Sequence, residues 1–392
     1  MSNTLLDNRK VANLKIGIAA TLFLVIGMGF SRFAFTGLYP LMVHDGFLTV
    51  NSGTHAASAN YIGYLIGALA LGRLKPQLSQ CIVICSMLLS VLMLFALGFA
   101  KESWLIISIR GLAGVFSATT MIAGSVWLFH YMHQHHQSAL LYSGVGIGIL
   151  LSAELIALGQ HFAMNSTSIW IMLSMSCLVG FLFSVFYMFK DKQSSLNERD
   201  NAQSTGSEVP AFLNRSLQLV AIYGLAGFGY IITATYLPLL IKNSMSGFST
   251  IHVWAVFGLG AIPSCFFWHQ LRLKFGTSRS LFINLIIQAL GVILPALSHT
   301  SISYLMSAFL VGGTFMGTVT IAMPAAHLIS HRVKFNMLAG MTVAYGIGQI
   351  IGPLVANSIY QATYSFDGSL FIAALALCLA AILSVEKFAE TA

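Results

Sequence analysis

Apolar residues gather along the chain into runs of about 20, the number an α-helix rising 1.5 Å per residue needs to cross a bilayer, and each run gives way to a short polar piece. This pattern predicts twelve membrane-spanning helices, over residues 16–42, 54–73, 81–100, 104–130, 139–161, 168–189, 216–241, 250–271, 279–298, 302–328, 336–361 and 366–385. The longest hydrophilic piece, KDKQSSLNERDNAQSTGSEVPAFLNRS from Lys190 to Ser216, is rich in Ser, Asn, Gln and charge, has little to bury, and reads as a flexible linker. The expected architecture is an all-α membrane protein with a six-helix bundle in 1–189, a linker in 190–215 and a second six-helix bundle in 216–392. The first span is too long for a secretory signal and lacks a small-residue cleavage pattern, so it is read as a retained helix.

Composition agrees with a membrane class. Of 392 residues, 57% are hydrophobic and 8% charged, against about 25% charged in a soluble domain. The formal net charge of +8 would suggest a nucleic-acid partner if it were spread evenly. With twelve alternating spans and the N-terminus inside, fifteen of the nineteen Lys and Arg fall on the inner side, and only Lys101 and Lys242 face outward. That asymmetry is the positive-inside rule. It predicts two cytoplasmic termini in a bacterial inner membrane and requires no nucleic acid. The five cysteines all fall inside predicted spans and read as packing residues. The histidines of HYMHQHHQ, from His130, lie on a short loop without acidic or cysteine partners, so no metal and no cofactor are expected.

The two halves repeat one another. GFSRFAFTGLYPL from Gly29 aligns with GFGYIITATYLPL from Gly227, RGLAGVFSA from Arg110 with FLVGGTFMG from Phe309, and GVGIGILLSAE from Gly144 with AYGIGQIIGPL from Ala344. The three matches occur in order at a near-constant offset of about 200 residues. Six helices followed by six in the same orientation form a parallel repeat about an axis along the membrane normal, with a solute site expected at the midplane between the halves.

These segments, with ASANYIGYLIGALALGRL, GGTFMGTVTIAMPAA and AYGIGQIIGPLVA, resemble the YbfB/YjiJ branch of the major facilitator superfamily over nearly the whole chain. The resemblance implies twelve helices and secondary transport, and names no substrate. RGLAGVFSA is similar to the arginine-glycine motif in the fourth helix of proton-linked members. The usual loop between the second and third helices is reduced to GRLKPQLSQ, which keeps Gly72 and Arg73 but has no acidic residue. The glycine and Gly-Pro pattern of antiporters is incomplete at Gly144 to Glu154, and its Gly-Pro stands at Gly352 and Pro353 instead.

Only Arg32, Arg110 and Glu154 place charge well inside predicted spans. Counting at 1.5 Å per residue puts all three roughly 9 to 15 Å below the outer surface, in one layer, as expected of charges facing an internal cavity. The repeat offers a comparison: Tyr230, Phe309 and Leu354 stand at the equivalent positions, so such helices pack without the charge. Arg32 and Arg110 are therefore expected to meet an anionic substrate, and Glu154, with Arg110, to couple a proton. The plain alternatives are a stabilising pair between Arg32 and Glu154, or Glu154 permanently paired with Arg110. Asn60, Tyr64, Tyr230, Thr233, Tyr236 and Gln349 are further candidates to line the cavity, and interhelical packing explains each equally well. Gly29, Gly114, Gly146, Gly148, Gly346, Gly348 and Pro353 are expected to allow close helix approach or bending.

The function predicted is proton-coupled secondary transport of a small organic, preferentially anionic, solute by a monomer in the lipid bilayer, with proton-driven efflux of neutral or cationic compounds as the rival. A non-transporting membrane receptor is the reading from another class. No metal cluster, phosphate loop or nucleophile-base pair speaks for an enzyme.

Overall fold

A bilayer offers no water to a free backbone N–H or C=O, so each apolar run closes its hydrogen bonds within itself as a helix. The computed structural model describes residues 15–72, 74–190, 210–241, 251–330 and 337–385. These residues form α1 (Lys15–His44), α2 (Val50–Ala70), α3 (Pro76–Leu97), α4 (Ser103–Tyr131), α5 (Ser138–His161), α6 (Ser166–Lys190), α7 (Pro210–Leu240), α8 (Ile251–Leu297), α9 (Ser301–Ser330), α10 (Met337–Thr363) and α11 (Asp367–Leu383). Nine of them, all but α2 and α11, are long and apolar enough to cross a membrane. The linker expected at 190–215 lies largely outside the described residues.

Local chemistry sets several boundaries. Thr49 and Ser52 form a reciprocal capping box at the start of α2. Pro76 opens α3 at a position where its missing N–H costs nothing. Between α1 and α2, the Asp45 carboxylate accepts from the Ser166 backbone N–H at 2.8 Å, which ties this loop to the start of α6. Partial burial pushes the Asp45 carboxyl up, but hydrogen bonds from Ser166 and His44 outweigh it and hold the group below its usual range.

Two departures from regular helix matter. α8 runs for 47 residues where the sequence predicted two spans, 250–271 and 279–298. It is two helices that meet at a kink at Gly276, whose non-helical backbone (φ 79°, ψ 174°) is open to glycine alone and turns the chain at the predicted gap. In α1, Val25–Phe33 is π-helical, and all nine of its residues are buried.

Small residues bring the helices together, as expected where helix association in lipid rests on close backbone approach. A Cβ on Gly29 would stand 2.3 Å from Gly148 Cα, so α1 and α5 touch backbone to backbone. A Cβ on Gly114 would meet the Asn60 carbonyl at 2.0 Å, joining α2 to α4. In the second half, a Cβ on Gly348 would meet the Gly224 carbonyl at 2.4 Å, joining α7 to α10, and one on Gly260 would meet Gly313 N at 3.0 Å, joining α8 to α9. Gly146 and Gly346 lie between the halves, Gly146 against Gly258 and Ile262, Gly346 against the Leu65 side chain. Large apolar side chains such as Val179, Leu182, Leu375 and Ile382 remain on the outside, where a bilayer would cover them.

Candidate functional site

α1 runs from the face that carries Lys15 to the opposite, far face, and the two faces differ. At the far face, polar pairs join the halves: Thr54 to Tyr236 at 2.7 Å, Tyr61 to Thr235 at 3.0 Å, and Asn357 donating to Asn51 at 2.9 Å. On the side of Lys15, a cavity of about 810 Å³ opens between the ends of α2 and α4 and the start of α10. A second cavity, of about 140 Å³, lies deeper between the halves, and Ala68, Ile122 and Thr342 line both.

Arg32 lies in the wall of the inner cavity with only 3% of its surface exposed. It donates to Gln349 Oε1 across the interface at 2.8 Å, and the Gln349 amide donates in turn to the Tyr230 hydroxyl. The guanidinium lies 4.1 Å from the Tyr64 ring centre and 5.2 Å from that of Tyr61, a cation–π arrangement. Its Nε is buried without a hydrogen-bond partner. Tyr223, Tyr345, Tyr230 and Phe315 continue the wall as a row of near-parallel rings, with interplanar angles of 29°, 22° and 17° between successive members.

Arg110 is equally buried but is occupied otherwise. Its two terminal nitrogens donate to the carbonyls of Ser31 and Arg32 at 2.8 and 3.0 Å, and its guanidinium lies over Phe35. Both carbonyls belong to the π-helical stretch of α1, so Arg110 clamps that stretch and does not line the cavity. Asn60 donates to the Arg110 carbonyl at 2.9 Å and serves the α2–α4 contact.

The three charges expected to share one cavity do not meet. Glu154 meets neither arginine: its Oε1 lies 3.2 Å from His252 Nδ1, its side chain is 50% exposed, and the pair spans the α5–α8 contact between the halves. Depth along a helix follows from residue counting, whereas the direction in which α5 turns a side chain depends on packing, and the approach of Gly146 to Gly258 turns this one toward α8. Among the described residues the ion pairs are His44–Asp45, His252–Glu154 and His299–Asp367, and none involves an arginine.

The remaining candidates divide. Tyr64, Tyr230 and Gln349 line the cavity with Arg32. Tyr236 belongs to the far-face pairs, where its hydroxyl also donates to the Pro353 carbonyl at 3.1 Å, and Thr233 is buried with its hydroxyl unpartnered. Among the described residues no group of three His, Cys, Asp or Glu could hold a metal ion.

A family model described as an uncharacterised MFS-type transporter YbfB matches residues 24–385. The chain belongs to this family. Comparison with curated proteins gives no match. Family membership makes the chain a multi-pass membrane transporter rather than an enzyme, with a small-molecule substrate, and the two cavities are then the natural place to look for it.

Sequence reasoning undervalued part of this transporter's wall. Phe315 and Tyr223 were not singled out, and Tyr345 only weakly. A signal existed: Tyr223 and Tyr230 are seven residues apart, and Tyr345 and Gln349 four, spacings that place each pair on one helix face.

Proposed function

We propose that the protein is a secondary transporter that holds a small organic anion at Arg32 and carries it across a bacterial inner membrane by alternating access. The observation that carries this reading is a buried guanidinium with no carboxylate partner among the described residues, in the wall of a cavity between the halves. An intramembrane charge costs at least several kcal/mol without a partner, and a bound anion would supply one. The polar pairs that join the halves and the open cavity on the side of Lys15 suit one state of such a cycle, and a separate cavity of about 460 Å³ lies at the far face between Val43, Val50, Leu240 and Tyr360.

The architecture proposed is two six-helix halves. Counting α8 as two spans about Gly276 and adding α2 and α11 to the apolar helices brings the total to twelve. Contacts repeat between the halves as well: Gly29 lies on Gly148 as Gly227 does on Gly348, and Asn60 on Gly114 as Gly260 does on Gly313. Both termini are assigned to the cytoplasm on the distribution of basic residues, and the protein is taken to act as a monomer.

Proton coupling is assigned to Glu154. Since it pairs with His252, a proton there would act by loosening the α5–α8 contact rather than by releasing an arginine. In proteoliposomes, Glu154→Gln should abolish uphill accumulation driven by a pH gradient while leaving exchange intact. Unchanged proton dependence in that variant would move the proton site elsewhere. Proton-driven export is the second reading, and uptake assays with the gradient imposed in either direction separate the two.

A further inference from the structure

We infer that the solute is a monoanion, a single carboxylate on an apolar body no larger than one ring or a short branched chain. This rests on the transport reading above and adds the class of molecule. The charge follows from the cations available. Among the described residues, Arg32 alone presents a guanidinium to the inner cavity, because Arg110 is taken up by two backbone carbonyls. No carboxylate among the described residues lines the cavity. A second negative charge would therefore find no partner, and an ammonium group would find no acceptor of opposite charge, so dianions, zwitterions and cations are all disfavoured on desolvation grounds.

The body follows from the remaining walls. Gln349 spends its oxygen on Arg32 and its nitrogen on Tyr230, and the Tyr64 hydroxyl donates to the Met121 sulfur at 2.9 Å. The Tyr223, Tyr230 and Tyr345 hydroxyls and the second Gln349 N–H remain, a small set for a polyhydroxylated solute, which would lose more water contacts than it regained. The other surfaces are rings and thioethers, with Phe33, Phe315, Met28 and Met323 prominent. A volume of about 140 Å³ is on the order of that which admits a benzene-sized body into an apolar cavity. A carboxylate in the cavity would meet the Arg32 guanidinium in its wall, and a charge-assisted contact of this kind is among the stronger ones.

The test uses the purified full chain, in detergent for ligand-induced shifts in unfolding temperature and in proteoliposomes for uptake. Phenylacetate is the probe. Acetate removes the body, phenylmalonate adds a charge, phenylalanine adds an ammonium, and benzyl alcohol removes the charge. Phenylacetate, or the branched-chain isovalerate, should bind saturably and be taken up, and the four comparison compounds should bind at least ten-fold more weakly. Arg32→Gln should weaken phenylacetate binding by roughly 10- to 100-fold. Arg32→Lys, which keeps the charge, should bind weakly in the same order of preference and guards against a folding defect in the first variant. Equal binding of phenylmalonate, phenylalanine or benzyl alcohol overturns the inference, as does phenylacetate binding that ignores Arg32→Gln, or no Arg32-dependent shift with either monocarboxylate. Arg32-dependent binding without any flux instead overturns the transport reading and leaves the site. Saturable flux of a dianion or zwitterion alone leaves transport and overturns the solute class.

Discussion

The surroundings of Arg110 and of Arg32 place the same side chain in two settings, a helix apart. Around Arg110, every strong acceptor is backbone: the Ser31 and Arg32 carbonyls are fixed in the π-helical stretch, and Asn60 holds the arginine's own carbonyl from α2. Around Arg32, the acceptor is one movable amide on the other half of the molecule; both guanidiniums lie over aromatic rings and both Nε atoms are buried without a partner, so the acceptors make the difference. A cation whose terminal nitrogens are both held by main-chain carbonyls has become part of the fold. A cation held by one side-chain amide in a cavity wall is not tied down in that way. Burial alone, which is 2% and 3% exposure for the two residues, does not separate them, while the identity of their acceptors does.

The contrast can be broken most directly at Arg110. Replacing it with Gln removes two charge-assisted bonds that join α4 to α1, so Arg110→Gln should cost about 3 kcal/mol of stability, read as a fall in unfolding temperature and in folded yield. A variant as stable as the parent would show that the clamp is dispensable. Next in size is the π-helical stretch that supplies the carbonyls. In Gly29→Ala the new methyl would press on Gly148 backbone, which cannot swing away, and the expected loss is about 1–3 kcal/mol in the same measurement. The smallest effect, and the one of opposite sign, belongs to Arg32. With no ligand present, Arg32→Gln removes an uncompensated buried charge, so the unfolding temperature should stay level or rise, by up to about 1 kcal/mol in stability. A marked loss of stability there would place Arg32 with Arg110 as a structural cation.

Much of the framework was legible in the sequence because hydrophobic length and glycine spacing are local properties. The spans around Arg32 and Arg110 lie where the apolar runs put them, and the glycines matched by the internal repeat are those at which helices touch, Gly29 on Gly148 and Gly227 on Gly348. The site was legible only in depth. Residue counting placed Glu154 at a sensible level along α5, yet whether it meets Arg32, Arg110 or His252 depends on helix rotation, which a periodic pattern of apolar residues on every face does not fix. Asn60 and Tyr236 are polar and buried as expected, but their partners are the Arg110 and Pro353 carbonyls and the Thr54 hydroxyl, contacts between helices distant in sequence. The π-helical geometry of Val25–Phe33 has no compositional signature, and it supplies the carbonyls that distinguish the two arginines.

The charge of Arg32 also has an electrical consequence. In the cycle proposed, an empty cavity would leave that charge without a counterion at the interface between the halves, and a bound monoanion would cancel it. The loaded protein would then reorient with little regard for the membrane potential, while the empty protein would feel it, at up to about 2.3 kcal/mol per 100 mV for a charge crossing the whole field and less for one near the middle. Voltage would therefore act on the return of the vacant carrier and leave the passage of its cargo largely untouched.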